Sequence, residues 1–275
     1  MSGAAAPARP PRIFEAAYYE RLAAAEERHG WSRGMRRAMR SLLLPRLPAR
    51  RPLRVLDAGC GTGLLLGELR QLAGAEPVGV DLALGALGFC RRRGAGRLAA
   101  ARLPELPLRA GSFDLVLCID TLQHLSPRGA DREAMAALAR LLVPGGLLYA
   151  RTNAACGRRP LAGVDPDFYR RYRPADLRRL AEESGFEVLR LTYLDAIPSL
   201  AAMVREALAP DAAPAPAAGP PLELVPPTGS RAALGRVSDA LHAIEALWLR
   251  LSGARLPFGH SLALVARRPQ SEAGG

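Results

Sequence analysis

The sequence predicts an α/β fold: an open, mostly parallel sheet with helices on both faces. Three observations predict it. Short apolar runs alternate with helix-length apolar patterns from Leu53 to about Tyr193. A glycine turn, Gly59-Cys60-Gly61-Thr62-Gly63, joins the first run to the first helix of that series. An acid, Asp81, closes the second run.

Taken in order, residues 1–11 are Ala/Pro-rich and read as a disordered tail. Phe14, Tyr18, Leu22 and Ala25 recur at helical spacing. A second helix is expected after Ser32, as N-cap, running to about Leu44 before Pro45. These two helices make a predicted N-terminal cap over residues 12–50. The core then spans 51–197. Strands are expected at 53–57, 78–81, 97–101, 113–119, 147–151 and 186–193, with helices at 62–72, 83–93, 130–142 and from Pro174 to near Gly185. Pro144-Gly145-Gly146 stops the third of these helices.

Beyond Ile197 the alternation breaks. Residues 198–257 read as a helical insertion, with a short helix possible over 199–208. The stretch 209–228 carries seven prolines and reads as a linker. Leu234, Val237, Leu241, Ile244, Trp248 and Leu251 then form one apolar stripe on one helix. That stripe is expected to pack on the chain's own core or cap, the rival being a surface for a membrane or a second subunit. Residues 258–268 hold a last strand, Ser261 to Val265, that returns to the sheet.

The 275 residues carry a net charge of +12, with 38 basic residues that are all arginine. A basic chain suits nucleic acid or an anionic surface. The wealth of Ala, Gly, Pro, Leu and Arg, all residues of GC-rich codons, offers a mutational source for that charge instead. Cys60, Cys90, Cys118 and Cys156 are widely spaced, without a Cys-x-x-Cys pair, so zinc is not expected and reduced thiols are. No apolar run is long enough to span a membrane, and the tail lacks an apolar signal core, which points to a cytoplasmic protein.

The glycine turn admits three readings. It can be a tight strand–helix junction without a ligand. A dinucleotide site needs a third glycine where Leu64 stands. The third reading is an adenosine site, in which Asp81 accepts hydrogen bonds from both ribose hydroxyls.

The series Asp57-Ala58-Gly59-Cys60-Gly61-Thr62-Gly63 resembles the first motif of class I S-adenosylmethionine (SAM)-dependent methyltransferases. Gly111-Ser112-Phe113-Asp114-Leu115-Val116-Leu117 is similar to their fourth-strand motif. Leu106-Pro107-Leu108 and the run from Arg140 through Pro144-Gly145-Gly146 to Leu148 resemble two more. The resemblance covers residues 53–152. It implies a Rossmann-like, seven-stranded sheet with an antiparallel last strand, and SAM as cofactor. It assigns Asp57, Gly59, Gly61, Gly63, Asp81 and Leu82 to the SAM pocket. Asp120 is expected to line the same pocket, with a general base or a helix cap as the alternatives. The family usually has an acid for the adenine amino group where this chain has Arg102, so backbone near Leu103 is the expected substitute.

Methyl transfer from a sulfonium mainly requires an aligned nucleophile. The acceptor is expected beyond the carboxyl ends of the strands, next to Ile119-Asp120-Thr121-Leu122-Gln123-His124. His124 is the candidate general base there; a packed histidine is the plainer alternative. Trp31 and Arg33 of the cap either close over the methionine end of SAM, or serve core packing and surface charge respectively. The Arg pairs 158–159, 170–171 and 178–179 are either solvated faces or contacts for an acidic acceptor. The segment after the fourth strand lacks Asn/Asp-Pro-Pro-Tyr and Pro-Cys, which disfavours nucleic acid and favours a small-molecule acceptor for O- or N-methylation. A nucleotide-binding oxidoreductase and a non-catalytic SAM-binding protein are the rival functions.

Overall fold

The computed structural model describes residues 16–27, 30–49, 51–125, 129–155, 170–197, 200, 230–253 and 255–270. The expected helix 199–208, all but residue 200, and the linker 209–228 lie outside them, as does the Arg158–Arg159 pair.

Two helices precede the sheet, α1 (Ala16–Ala25) and α2 (Gly30–Leu43). Ser32 is not the N-cap of α2, which begins two residues earlier; its hydroxyl instead accepts from Arg36 Nη1 at 2.7 Å. There follow β1 (Val55–Ala58), α3 (Leu64–Ala73), β2 (Val78–Asp81), α4 (Leu84–Arg92), β3 (Arg97–Ala100) and β4 (Phe113–Ile119). The chain continues through α5 (Ala130–Leu141), β5 (Leu142–Asn153), α6 (Pro174–Glu183), β6 (Glu187–Leu194), α7 (Ser230–Leu251) and β7 (Ser261–Arg267). Pro144-Gly145-Gly146 was expected to separate helix from strand; β5 instead starts ahead of it, with a register shift opposite Phe113 and Leu115.

The seven strands lie in the order β3-β2-β1-β4-β5-β7-β6. β1 pairs in parallel with β2 and β4, while β7 runs antiparallel between β5 and β6. The order reverses at β1, so the connections leaving β1 and β4 turn to opposite faces of the sheet and leave a crevice at the carboxyl ends of the two strands. Alternation assigns the two faces. Leu56, Val116, Cys118, Leu148 and Leu264 pack with α5 and α6 residues such as Leu138 and Leu177. Val55, Leu115, Leu117, Tyr149 and Val265 pack with Met35, Met39 and Leu42 of α2, Leu69 of α3 and Leu249 of α7.

One expectation fails on α7. The stripe meant for the core faces outward: Ile244 is 56% and Trp248 53% exposed, Val237 and Leu251 are exposed too, and Leu241 is half-buried. The opposite face is the buried one, with His242, Glu245, Ala246 and Leu249. Its polar groups account for the inversion. Glu245 accepts hydrogen bonds from the amides of Asp195, Ala196 and Ile197 at 2.6, 2.8 and 3.1 Å, and Asp239 pairs with Arg33. Fixed charges and orphan amides set the rotation of this helix, where the apolar spacing alone suggested the reverse.

Candidate active site

β1 delivers the chain to the glycine turn. Gly59 has φ +93°, and a Cβ there would lie 2.0 Å from Thr121 Oγ1, so only glycine fits. Gly61, at φ +52°, has no atom within 4 Å of an added Cβ. Its outer side is open, which lets a ligand approach the backbone. Asp81, at the end of β2, turns its carboxylate onto this turn: Oδ2 accepts from the Gly61 amide at 2.8 Å and Oδ1 from the Ala83 amide at 2.9 Å. Each oxygen retains acceptor capacity for a hydroxyl. Burial raises the pKa of Asp81, opposed by those amides.

Asp57 sits beneath the turn, almost fully buried. Burial, then the charge of Asp81, pushes its pKa up to about 7. Leu82 is exposed at the mouth, beside the exposed Leu84. The Leu103 side chain is buried in the core, so only its backbone can face a ligand. Arg102 is exposed.

The N-terminal helices lie over this edge. Glu26 accepts from Thr62 Oγ1 and from Arg93, and Arg93 Nη1 also donates to the Thr62 carbonyl at 3.0 Å. Tyr19 is buried, and its hydroxyl pKa is raised by burial and then by Asp81. The sequence pattern gives no sign of the clamp of Glu26, Arg93 and Thr62, whose members lie 31 to 67 residues apart. Cys60 and Cys90, thirty residues apart, come within 3.8 Å at Sγ because the turn packs on α4.

At the next pair of strand ends, Asp120 holds φ +52° and pairs with Arg151 through two hydrogen bonds, Nε to Oδ1 at 3.0 Å among them. The Arg151 guanidinium lies 4.9 Å from the centroid of Trp31. Trp31 thus lies beside the Asp120–Arg151 pair, and it also packs on the core cluster of α2. Arg33 does not point that way; its guanidinium joins α2 to Asp239 of α7. His124 ends a single 3₁₀ turn, with Nε2 3.4 Å from Gln123 Nε2. Gln123 Oε1 accepts from the Asn153 amide at 3.0 Å and from Thr152 Oγ1 at 3.2 Å. Asn153 Nδ2 is buried without a hydrogen-bond partner among the described residues.

A second histidine group stands across β5. Asp195, just past β6, accepts from His242 Nε2 at 3.0 Å and His260 Nδ1 at 2.8 Å. His242 is buried, whereas the His260 side chain is 27% exposed. The His260 carbonyl accepts from the Ala154 amide at 2.9 Å, which fixes it at the carboxyl end of β5. Sequence spacing gave no sign of this group, since its members are 47 and 65 residues apart. Arg178 and Arg179 pair with Glu182 and Asp176 on the surface of α6, as solvated faces do, and Arg170 pairs with Asp131.

The methyltransferase-domain family matches residues 56–150, from β1 almost to the end of β5. The malonyl-[acyl-carrier protein] O-methyltransferase of Pseudescherichia vulneris is 31% identical over 184 residues, covering 60% of this chain and 69% of that protein. The chain belongs to the class I SAM-dependent methyltransferases. SAM is its cofactor and methyl transfer its chemistry, so the oxidoreductase reading falls. The ubiquinone biosynthesis O-methyltransferase of Nitrosococcus oceani is 33% identical to this methyltransferase over 162 residues, 51% of this chain and 66% of that protein. The methyltransferase thus spans about two thirds of the length of both relatives. A SAM-dependent methyltransferase of Archaeoglobus fulgidus shares the fold, with a TM-score of 0.54 at 20% identity over 86% of this chain and 94% of that one. Among the described residues no group of His, Cys, Asp and Glu could hold a metal, and no helix is long and apolar enough to cross a membrane.

Proposed function

We propose that this enzyme methylates an oxygen or nitrogen atom of a small-molecule metabolite in the cytoplasm. The observation that carries the reading is the Asp81 carboxylate, fixed by the Gly61 and Ala83 amides at the carboxyl end of β2. In this reading Asp81 takes the ribose hydroxyls and the backbone of Gly59, Gly61 and Gly63 borders the cofactor. Asp57 lies beneath it, Leu82 and the Leu103 backbone flank the adenine, and Asp120 lines the methionine end. The helices α1 and α2 act as a cap, tied down by the Glu26–Arg93–Thr62 contacts. Oxygen is the favoured acceptor atom, because both relatives are named O-methyltransferases.

SAM supplies an activated methyl carbon, which leaves the protein to align the acceptor and manage one proton. A hydroxyl acceptor needs that proton removed. His124 and His260 are the two candidate bases at this edge. His260 has the better-built environment, since the Asp195 carboxylate holds its Nδ1 at 2.8 Å and fixes the ring's orientation. Asp195 would act as a positioning residue.

Calorimetry with SAM tests the cofactor assignment. Asp81→Ala should weaken binding about tenfold or more, the worth of roughly 1.5–3 kcal/mol for a charge-assisted hydrogen bond. Unchanged affinity would remove Asp81 from the site. Release of S-adenosylhomocysteine against a panel of hydroxylated aromatic and carboxylic acceptors tests the reaction, and activity only on an amine panel would overturn the preference for oxygen.

A further inference from the structure

The face of α7 that meets solvent is built the wrong way round for a helix that ends at water. From Val237 to Leu251, the outward positions are Val237, Ala240, Ile244, Leu247, Trp248 and Leu251, with Leu241 half-covered beside them. Both acids of that span, Asp239 and Glu245, turn inward to Arg33 and to the 195–197 amides. An exposed apolar stripe of this size marks an interaction surface.

The surroundings say what kind of partner fits. Residues 28–56, which include α2, hold nine arginines and no acid, and residues 246–271 hold no acid either. Arg37 donates to the Asp239 carbonyl, so α2 flanks α7 on the side that carries Arg33, Arg37, Arg40 and Leu44 at helical spacing. Arg37, Arg40 and Leu44 are exposed. Arg250 and Arg255 are exposed at the far end of α7. Arg190, Arg46 and Arg255 stand close together there, and the pKa of Arg190 is lowered by burial and by the other two guanidinium groups. Crowded cations beside an apolar ridge, with Asp239 neutralised by Arg33 and no acid among the exposed described residues of either helix, suit a surface that is apolar within and anionic at its rim. A second copy of the chain does not fit, because a two-fold contact through this patch would set arginine against arginine.

We propose that α7 is an interfacial helix that seats the enzyme on an anionic lipid surface. Val237, Ile244, Leu247, Trp248 and Leu251 enter the acyl boundary, and the arginines of α2 and of the α7 end meet the headgroups. The inner side of the same helix carries His242, which touches Asp195 at the carboxyl edge of the sheet, so docking brings that edge close to the lipid.

Tryptophan fluorescence of full-length protein tests this. The chain has two tryptophans, so Trp31→Phe leaves Trp248 as the reporter. In lipid-free buffer Trp248 should be open to acrylamide. Vesicles of equal phosphatidylglycerol and phosphatidylcholine should shift its emission to the blue and sediment the protein, and pure phosphatidylcholine should do so at least about tenfold less well. The expected loss of vesicle affinity for Leu247→Ser with Trp248→Ser, in the wild-type background, is about tenfold or more. The melting temperature should hold, because both side chains are exposed in the free protein. Three results would overturn the proposal: no binding to the anionic vesicles at low salt, binding indifferent to the double substitution, or a Trp248 already shielded without lipid, which would mean that the chain itself or a second copy covers the stripe.

Discussion

His242 Nε2 and Asp195 Oδ1 lie 3.0 Å apart in the interior, joining the inner face of α7 to the end of β6. Burial disfavours the imidazolium, but the hydrogen bond and charge of Asp195 outweigh it, and the His242 pKa is raised above its ordinary 6.5. Burial likewise opposes ionisation of Asp195, and the two histidines override it to hold its pKa below 3.8. A raised histidine stabilises the fold fully below its unfolded pKa and loses that contribution as pH rises through the folded value. A depressed aspartate loses its contribution as pH falls through the folded value. The pair therefore stabilises most between about pH 4 and 6.5. Thermal melts across pH should show the wild type losing stability relative to Asp195→Asn as pH rises above about 6.5. That variant should be less stable near pH 6 by about 3–5 kcal/mol. Parallel curves for the two proteins would refute the ion pair.

The choice of base can be decided by kinetics. If His260 takes the acceptor proton, His260→Ala should lower turnover by about 10²–10⁴-fold with SAM affinity retained. His124→Ala should then cost little. The reverse order of effects would return the role to His124. Asp195→Asn adds a readout that packing alone would not move, a fall in kcat with SAM affinity retained.

The sheet was legible because its signals are local and mutually consistent. The period of the apolar runs, the glycine turn and the acid at Asp81 all act within one strand–helix unit, whereas the order of the strands came only from the structure. The antiparallel β7 followed from family resemblance. The rotation of α7 was not legible. Its apolar stripe is as regular as any core helix, and what turns it outward is pairing of Asp239, His242 and Glu245 with groups about 45 to 210 residues away. The same limit hid His260 and the Glu26–Arg93 clamp, since single polar residues carry no period.

Asp57 gives a pH dependence to cofactor binding. Its carboxyl has a pKa near 7 because it is buried beside Asp81. SAM brings a sulfonium and an ammonium, both of which favour the charged carboxylate. Binding near or below pH 7 should therefore release a proton, and affinity should fall by up to about tenfold per unit as pH drops below 7. Calorimetry in buffers of different ionisation enthalpy measures the released proton directly. Asp57→Asn should abolish the release and flatten the profile; an unchanged profile would place the titration elsewhere.

Gly34 provides a test of the α2–α7 contact in which the sign of the effect decides. A Cβ on Gly34 would stand 2.4 Å from Cγ and 2.5 Å from Cβ of His242. The helices can approach this closely only because that atom is missing, and the approach is what brings His242 to Asp195. Helix propensity by itself favours alanine over glycine by roughly 0.5–1 kcal/mol. Gly67 of α3 is the control, being exposed and having no atom within 4 Å of an added Cβ. In urea unfolding, Gly67→Ala should stabilise the enzyme by that modest amount. Gly34→Ala should destabilise it by about 1–3 kcal/mol, because the new methyl group forces α2 and α7 apart and strains the buried pair. Stabilisation by both substitutions would mean that α7 does not pack on α2 through His242, and the polar anchor that turns its apolar face outward would be lost with it.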